Sequence, residues 1–190
     1  MTAEAMERLR EKLWPLGVQE GAYAILDGAR DPAVFPLVQG LGPSAECLYV
    51  GRLSPSLARA APYLVQLERG TPATERVLAQ GWGKSWGVFL RCRSPMRAAH
   101  RHLRRLLRVQ DEAGKRLLFR YYDPRVLRAY LPTCTAEELA FVFGPIEAFV
   151  VEGETPEHIL EFVLQGGALT RHEARVERRL EWLKDYLKRT

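Results

Sequence analysis

Arginine is the residue type of this chain best placed to do chemistry. Between Pro95 and Arg108, the residues Met96, Ala99, Leu103 and Leu106 recur at the spacing of one helix face, with Arg97, Arg101, Arg104, Arg105 and Arg108 around the rest. Guanidinium forks suit carboxylate and phosphate, so this helix reads either as an anion-binding surface or as a solvated face over a packed core. A second string, Phe119-Arg120-Tyr121-Tyr122-Asp123-Pro124-Arg125, is dense in hydrogen-bonding groups. Asp123 is placed to cap a helix, and Arg120 and Arg125 are placed to hold carboxylates such as Asp27 or Asp31 of Leu26-Asp27-Gly28-Ala29-Arg30-Asp31-Pro32. A network of that kind is expected to be structural before it is catalytic.

Other chemistry is less supported. Gly81-Trp82-Gly83-Lys84-Ser85-Trp86-Gly87 ends like a phosphate loop, but position 78, where the first glycine belongs, is Leu78, and the segment leads into a strand. Its glycines read as a tight turn, with Trp82 and Trp86 packed in the core or in a cleft. His100 and His102 point to different sides of a helix, while His158 and His172 stand alone. Cys47, Cys92 and Cys134 are far apart and odd in number, which indicates neither a disulfide framework nor a zinc site. No local signature of a nucleophile or metalloprotease site is present. An enzyme is therefore not expected, and neither is a cofactor or metal. A hydrolase built on Asp27, Asp123 or Cys134 would have no substrate class suggested for it.

The 190 residues carry a formal charge of +5, and 47% are hydrophobic, enough for a packed core of one domain, or of one with a small appendage. The charge is unevenly spread. Residues 1–90 hold 9 basic and 9 acidic side chains, 91–130 hold 12 and 3, and 131–190 hold 7 and 11. The basic excess thus belongs to the middle of the chain. It keeps nucleic acid in view as the runner-up partner, though no groove-reading fold signature accompanies it. The N-terminal stretch lacks an apolar secretory core, and no run approaches the roughly 18 to 20 apolar residues of a membrane span, so a cytoplasmic protein without a membrane partner is expected.

The positioning elements are announced by proline. Asp31-Pro32, Ser54-Pro55, Thr71-Pro72, Ser94-Pro95, Asp123-Pro124 and Thr155-Pro156 each put proline after a capping residue, a helix start. Thr135 with Glu138 and Thr170 with Glu173 read as capping boxes, and Met6, Leu9 and Leu13 mark a helix over residues 1–14. Strands are expected at Ala22–Asp27, Cys47–Val50, Tyr63–Leu67, Trp86–Arg91, Leu117–Tyr122 and Ala148–Glu152, with a hairpin pairing Leu107–Gln110 and Leu117–Arg120. The class is α+β: a mixed lobe with a central sheet and flanking helices over 1–152, then a small helical extension over 153–190. In that extension one helix runs from Thr155 to Leu164 and stops at Gly166-Gly167. A second runs from Thr170 to Arg189, with an apolar stripe of Val176, Leu180, Leu183 and Leu187 widened by Trp182 and Tyr186. The stripe would pack on the chain's own lobe or on a partner.

Several strings taken in order carry a resemblance. They are Tyr23-Ala24-Ile25-Leu26-Asp27-Gly28-Ala29-Arg30, Cys47-Leu48-Tyr49 with Ala61-Pro62-Tyr63-Leu64-Val65, and Trp82-Gly83-Lys84-Ser85-Trp86-Gly87. The series continues through Phe119 to Leu127, Leu131-Pro132-Thr133-Cys134-Thr135 and Phe143-Gly144-Pro145. Together, over roughly residues 20–152, the series resembles the type VI secretion effector adaptors, sometimes called Tap or TEC proteins. The resemblance implies a non-catalytic cytoplasmic chaperone that binds one toxic effector and helps load it onto the VgrG spike. It carries over no catalytic residue. Trp, Tyr and Arg are enriched at interface hot spots, so Trp82, Trp86, Arg101, Arg105, Arg120, Tyr122, Arg125, Trp182 and Tyr186 are the expected partner-binding residues. The terminal helices from Thr155 onward are expected to select the effector.

Overall fold

The computed structural model describes residues 3–17, 20–110 and 113–175. Its centre is a seven-stranded sheet, antiparallel throughout, in the order β2-β3-β1-β4-β7-β8-β9. These strands are β1 Gly21–Asp27, β2 Ala45–Cys47, β3 Pro62–Leu67, β4 Gly87–Cys92, β7 Ile146–Glu152, β8 His158–Gln165 and β9 Ala168–Arg175. A separate hairpin pairs β5 Arg108–Gln110 with β6 Arg116–Leu118. The helices are α1 Ala3–Leu13, α2 Val34–Gly40, α3 Pro55–Ala60, α4 Pro72–Gly81, α5 Met96–Leu106, α6 Pro124–Tyr130 and α7 Ala136–Phe143. The α+β class holds.

Alternation along the central strands builds a core on each face of the sheet. Tyr23, Ile25, Leu90 and Phe149 pack with Leu103 of α5, Leu127 of α6 and Phe143 of α7. Ala22, Ala24, Phe89 and Val150 pack on the other side with Leu9 of α1, Val38 of α2 and Leu78 of α4. With both faces covered, β1, β4 and β7 are apolar at almost every position. The caps on Ser54, Thr71 and Asp123 form as expected, and Thr135 and Glu138 make the full capping box. Two expected caps shift: α2 starts beyond Ala33, and α5 beyond Pro95, neither with a side-chain cap.

The segment after Gly153 is not the expected helical extension. Residues 158–165 and 168–175 are the strands β8 and β9, so the Thr155-Pro156 helix start and the Thr170/Glu173 capping box do not form. The physical reason is that Ile159 enters one core while Leu160 and Phe162 enter the other, which only a strand spanning both faces permits. Gly166 and Gly167, at φ 58° and 81°, make the two-residue turn of a hairpin that needs two left-handed residues, instead of stopping a helix. Residues 176–190, including Trp182 and Tyr186, lie outside the described residues. The expected strand at Cys47–Val50 shrinks to its first residue at the end of β2, and Tyr121 and Tyr122 leave the strand for a turn. The expected hairpin partners pair as Arg108 with Leu118 and Gln110 with Arg116.

Candidate functional site

The motif strings meet at one end of the sheet, where β1 and β7 finish and β4 begins. Asp27, the last residue of β1, is buried; its Oδ2 accepts from Arg120 Nη2 at 2.5 Å and its Oδ1 from the Ala29 amide at 3.0 Å. The Arg120 guanidinium sits 5.9 Å from the centre of the Tyr122 ring, and the hydrogen bond to Asp27 raises its pKa. Tyr122 is buried, and burial followed by its contact with Tyr49 drives its phenol well above the usual range. Asp123 caps α6: it accepts from the Arg125 amide at 3.0 Å, from Nε at 2.9 Å and from Nη2 at 2.6 Å. Burial pushes the Asp123 carboxyl up, but the Arg125 hydrogen bonds outweigh it and hold the carboxyl below its ordinary value.

The glycine–tryptophan turn closes the same end. Trp82 Nε1 donates to the Pro156 carbonyl at 2.8 Å and Trp86 Nε1 to Asp31 Oδ2 at 3.0 Å; both indoles are buried. The Ser85 amide, held at φ 53°, donates to Glu152 Oε1 at 3.0 Å. Burial raises the Glu152 carboxyl above its usual range against the pull of that amide and of Arg128. Arg128 in turn donates to the carbonyls of Glu152 and Gly153. A Cβ on Gly87 would overlap the Ile25 carbonyl oxygen, which is why the turn must re-enter the sheet through glycine. The motif residues are therefore spent on one another, joining β1, β4, β7, α6 and the loops between them.

This placement divides the expected partner-binding residues. Trp82, Trp86 and Tyr122 are buried framework and present no surface for a partner, a correction to their reading as recognition residues. Arg120 and Arg125 are half exposed but engaged by Asp27 and Asp123. Arg101 and Arg105 are exposed on α5. Arg125 takes Asp123 in place of Asp27 or Asp31, and His158 does not stand alone, its Nδ1 lying 3.1 Å from Glu173 across the β8–β9 hairpin. Cys134 Sγ donates to the Tyr130 carbonyl at 3.5 Å, and burial raises its thiol pKa, the reverse of an activated nucleophile. Among the described residues no cluster of His, Cys, Asp and Glu could hold a metal ion, and no helix is long and apolar enough to cross a membrane.

The free surface lies beside this framework. A groove of about 500 Å³ runs between α5, the loop from Leu48 to Leu53 with α3, and the β5–β6 hairpin. Its floor is the buried pair Leu48 and Leu107. Arg101, Arg104, Arg105 and Arg108 form one wall, and no carboxylate among the described residues forms a salt bridge to any of them. The other walls are mostly aliphatic, with Tyr49 among them, and open to solvent: Val50 is 60% exposed, Leu57 45% and Leu118 52%. Sequence reasoning found the arginine stripe but missed its apolar counterpart, because Val50 and Leu57 lie in a loop and a short helix whose pattern does not show which side faces solvent.

A family model described as a domain of unknown function, DUF4123, matches residues 22–140. The chain belongs to that family. The matched span contains nearly all of β1, the glycine–tryptophan turn, α5 and the Asp123 cap, so the whole groove lining falls inside the family domain, and the motif network does so except for its partners Glu152, Gly153 and Pro156. No curated protein and no solved structure matches the chain.

Proposed function

We propose that this protein is a cytoplasmic adaptor chaperone of a type VI secretion system, which binds one cognate effector and promotes its loading onto the VgrG spike without catalysing a reaction. The observation that carries the reading is membership of the DUF4123 family over residues 22–140, with the adaptor motif strings in their order along and just beyond that span. The geometry is consistent with it. Asp27 and Asp123 are engaged by arginines, and the surface left unspent is an arginine-walled apolar groove suited to protein recognition.

The test is deletion of this gene in a bacterium that encodes it, followed by quantitative proteomics of the culture supernatant, with capture by the tagged full chain alongside. One toxin should vanish from the supernatant while the secreted tube protein persists, and the tagged chain should enrich that toxin and a VgrG spike. Unaltered secretion of every toxin in the deletion strain overturns the reading.

A further inference from the structure

We propose that the groove between α5 and the loop from Leu48 to Leu53 seats an acidic amphipathic helix of the partner protein, with its carboxylates on the arginine wall and its aliphatic flank on Val50, Leu57 and Leu118. This rests on the adaptor reading and names the chemistry that the adaptor recognises.

Three observations converge on that occupant. The first is spacing: Arg101, Arg104 and Arg105 follow the i, i+3, i+4 repeat along one side of α5, and Arg108 extends the row at the start of β5. A second helix laid alongside repeats its side chains at the same interval, whereas an extended peptide with period two meets such a row only intermittently. The second is unspent charge. None of the four has a carboxylate partner among the described residues, and Arg104 Nε is shielded from solvent with no hydrogen-bond acceptor there. Carboxylates supplied by a partner would satisfy guanidinium forks in the geometry they favour. The third is the apolar part of the groove, since exposed Val50, Leu57 and Leu118 line the same cavity as the arginines.

That apolar part selects against the other anions. A nucleic acid offers phosphates to arginine but wants a series of aromatic platforms, where this groove has one half-buried aromatic, Tyr49, among aliphatic side chains. An anionic bilayer meets protruding side chains more readily than a concave wall. The chain's own residues 176–190 carry five basic and three acidic side chains, an excess of positive charge that favours a separate, more acidic occupant.

The experiment uses the full chain and a fluorescein-labelled designed helical peptide of 18 residues with a glutamate flank and a leucine flank. Its comparators are a scrambled peptide of the same composition, the same helix with lysine for glutamate, a poly-dT oligonucleotide and phosphatidylglycerol vesicles. The glutamate helix should bind by anisotropy, and R101E/R105E should weaken it by at least about tenfold, a change of about 1.4 kcal/mol. The lysine helix should gain affinity for the same variant, a rescue that loss of folding cannot produce, and Leu57→Asp should weaken the glutamate helix as well. Equal binding of the scrambled peptide, tighter binding of the oligonucleotide or vesicles, or self-association of the chain abolished by R101E/R105E each overturns the proposal. In the native host, effector capture by R101E/R105E at wild-type level overturns the groove while the adaptor reading stands. Absence of capture by the wild-type chain strikes the adaptor reading, and the peptide titration still decides the groove.

Discussion

Arg120 reaches across 93 residues of sequence to place its Nη2 2.5 Å from Oδ2 of Asp27, and the two ends of that bond live in different solvents. The Asp27 side chain is 2% exposed and that of Arg120 is 45% exposed. Removal of either partner is therefore not equivalent.

Arg120→Met leaves a buried carboxylate with the Ala29 amide as its remaining donor, whereas Asp27→Asn leaves a guanidinium that water can reach. Breaking a buried pair from the exposed side should cost about 3 kcal/mol, and from the buried side about 1 kcal/mol, because an unpaired buried charge carries the larger penalty. The double variant should lose less than Arg120→Met alone. Urea unfolding of the three proteins measures this, and equal losses in the two single variants would contradict the account.

Glu161 gives the protein a pH-dependent clasp between its N-terminal helix and its sheet. Its two carboxylate oxygens accept from Lys12 Nζ and Arg91 Nη1, each at 2.6 Å. Burial alone would raise the carboxyl, but those two hydrogen bonds outweigh it and hold the group below its ordinary 4.5. A carboxyl depressed in the folded state contributes stability above its unfolded value, lost as pH falls through the folded one. Glu161→Gln should thus cost about 2 kcal/mol at pH 7, and the gap from wild type should narrow as pH falls below the carboxyl's ordinary 4.5. Unfolding midpoints at several pH values test the sign: a gap that widens on acidification refutes it.

Gly144 ends α7 at φ 48°, and an added Cβ there would overlap the ring of His102, whose Nε2 lies 2.9 Å from the Val142 carbonyl. Gly144→Ala should cost about 2 kcal/mol or more from backbone strain and the clash together. Adding His102→Ala relieves the overlap but not the strain, so the double variant should recover only part of what its single changes predict. Full additivity in thermal melts would show that the two residues do not meet.

What sequence reveals here follows from the range of the interaction. An arginine–carboxylate network was legible, with Arg120 and Arg125 open to either Asp27 or Asp31, but only the fold selects the Asp27–Arg120 pair; the α5 stripe was legible because a helix writes its faces every three to four residues. Trp82 and Trp86 were ambiguous between core and surface; their burial is decided by Pro156 and Asp31, which no local pattern links to them. At the far end of the chain, strong local helix signals lost to the ladder offered by β7. His158 to Gln165 alternates apolar residues toward two cores, a pattern that capping residues alone do not expose.

Two threonines make that last contrast measurable, since Thr135 and Thr155 carry similar helix-start signals in sequence. Thr135 Oγ1 accepts from the Glu138 amide at 3.2 Å while Glu138 Oε2 accepts from the Thr135 amide at 2.7 Å, so both orphan donors at the start of α7 are satisfied. Thr155 stands exposed in the turn before β8, where its carbonyl accepts from the His158 amide at 3.1 Å and no helix follows. Thr135→Ala should therefore cost about 1 kcal/mol, the usual loss of a cap, and Thr155→Ala should stay within about 0.5 kcal/mol of wild type. Matched denaturant titrations decide between them. A loss at Thr155 as large as that at Thr135 would mean that residue 155 caps a helix after all, and the β8–β9 hairpin would have to be abandoned with it.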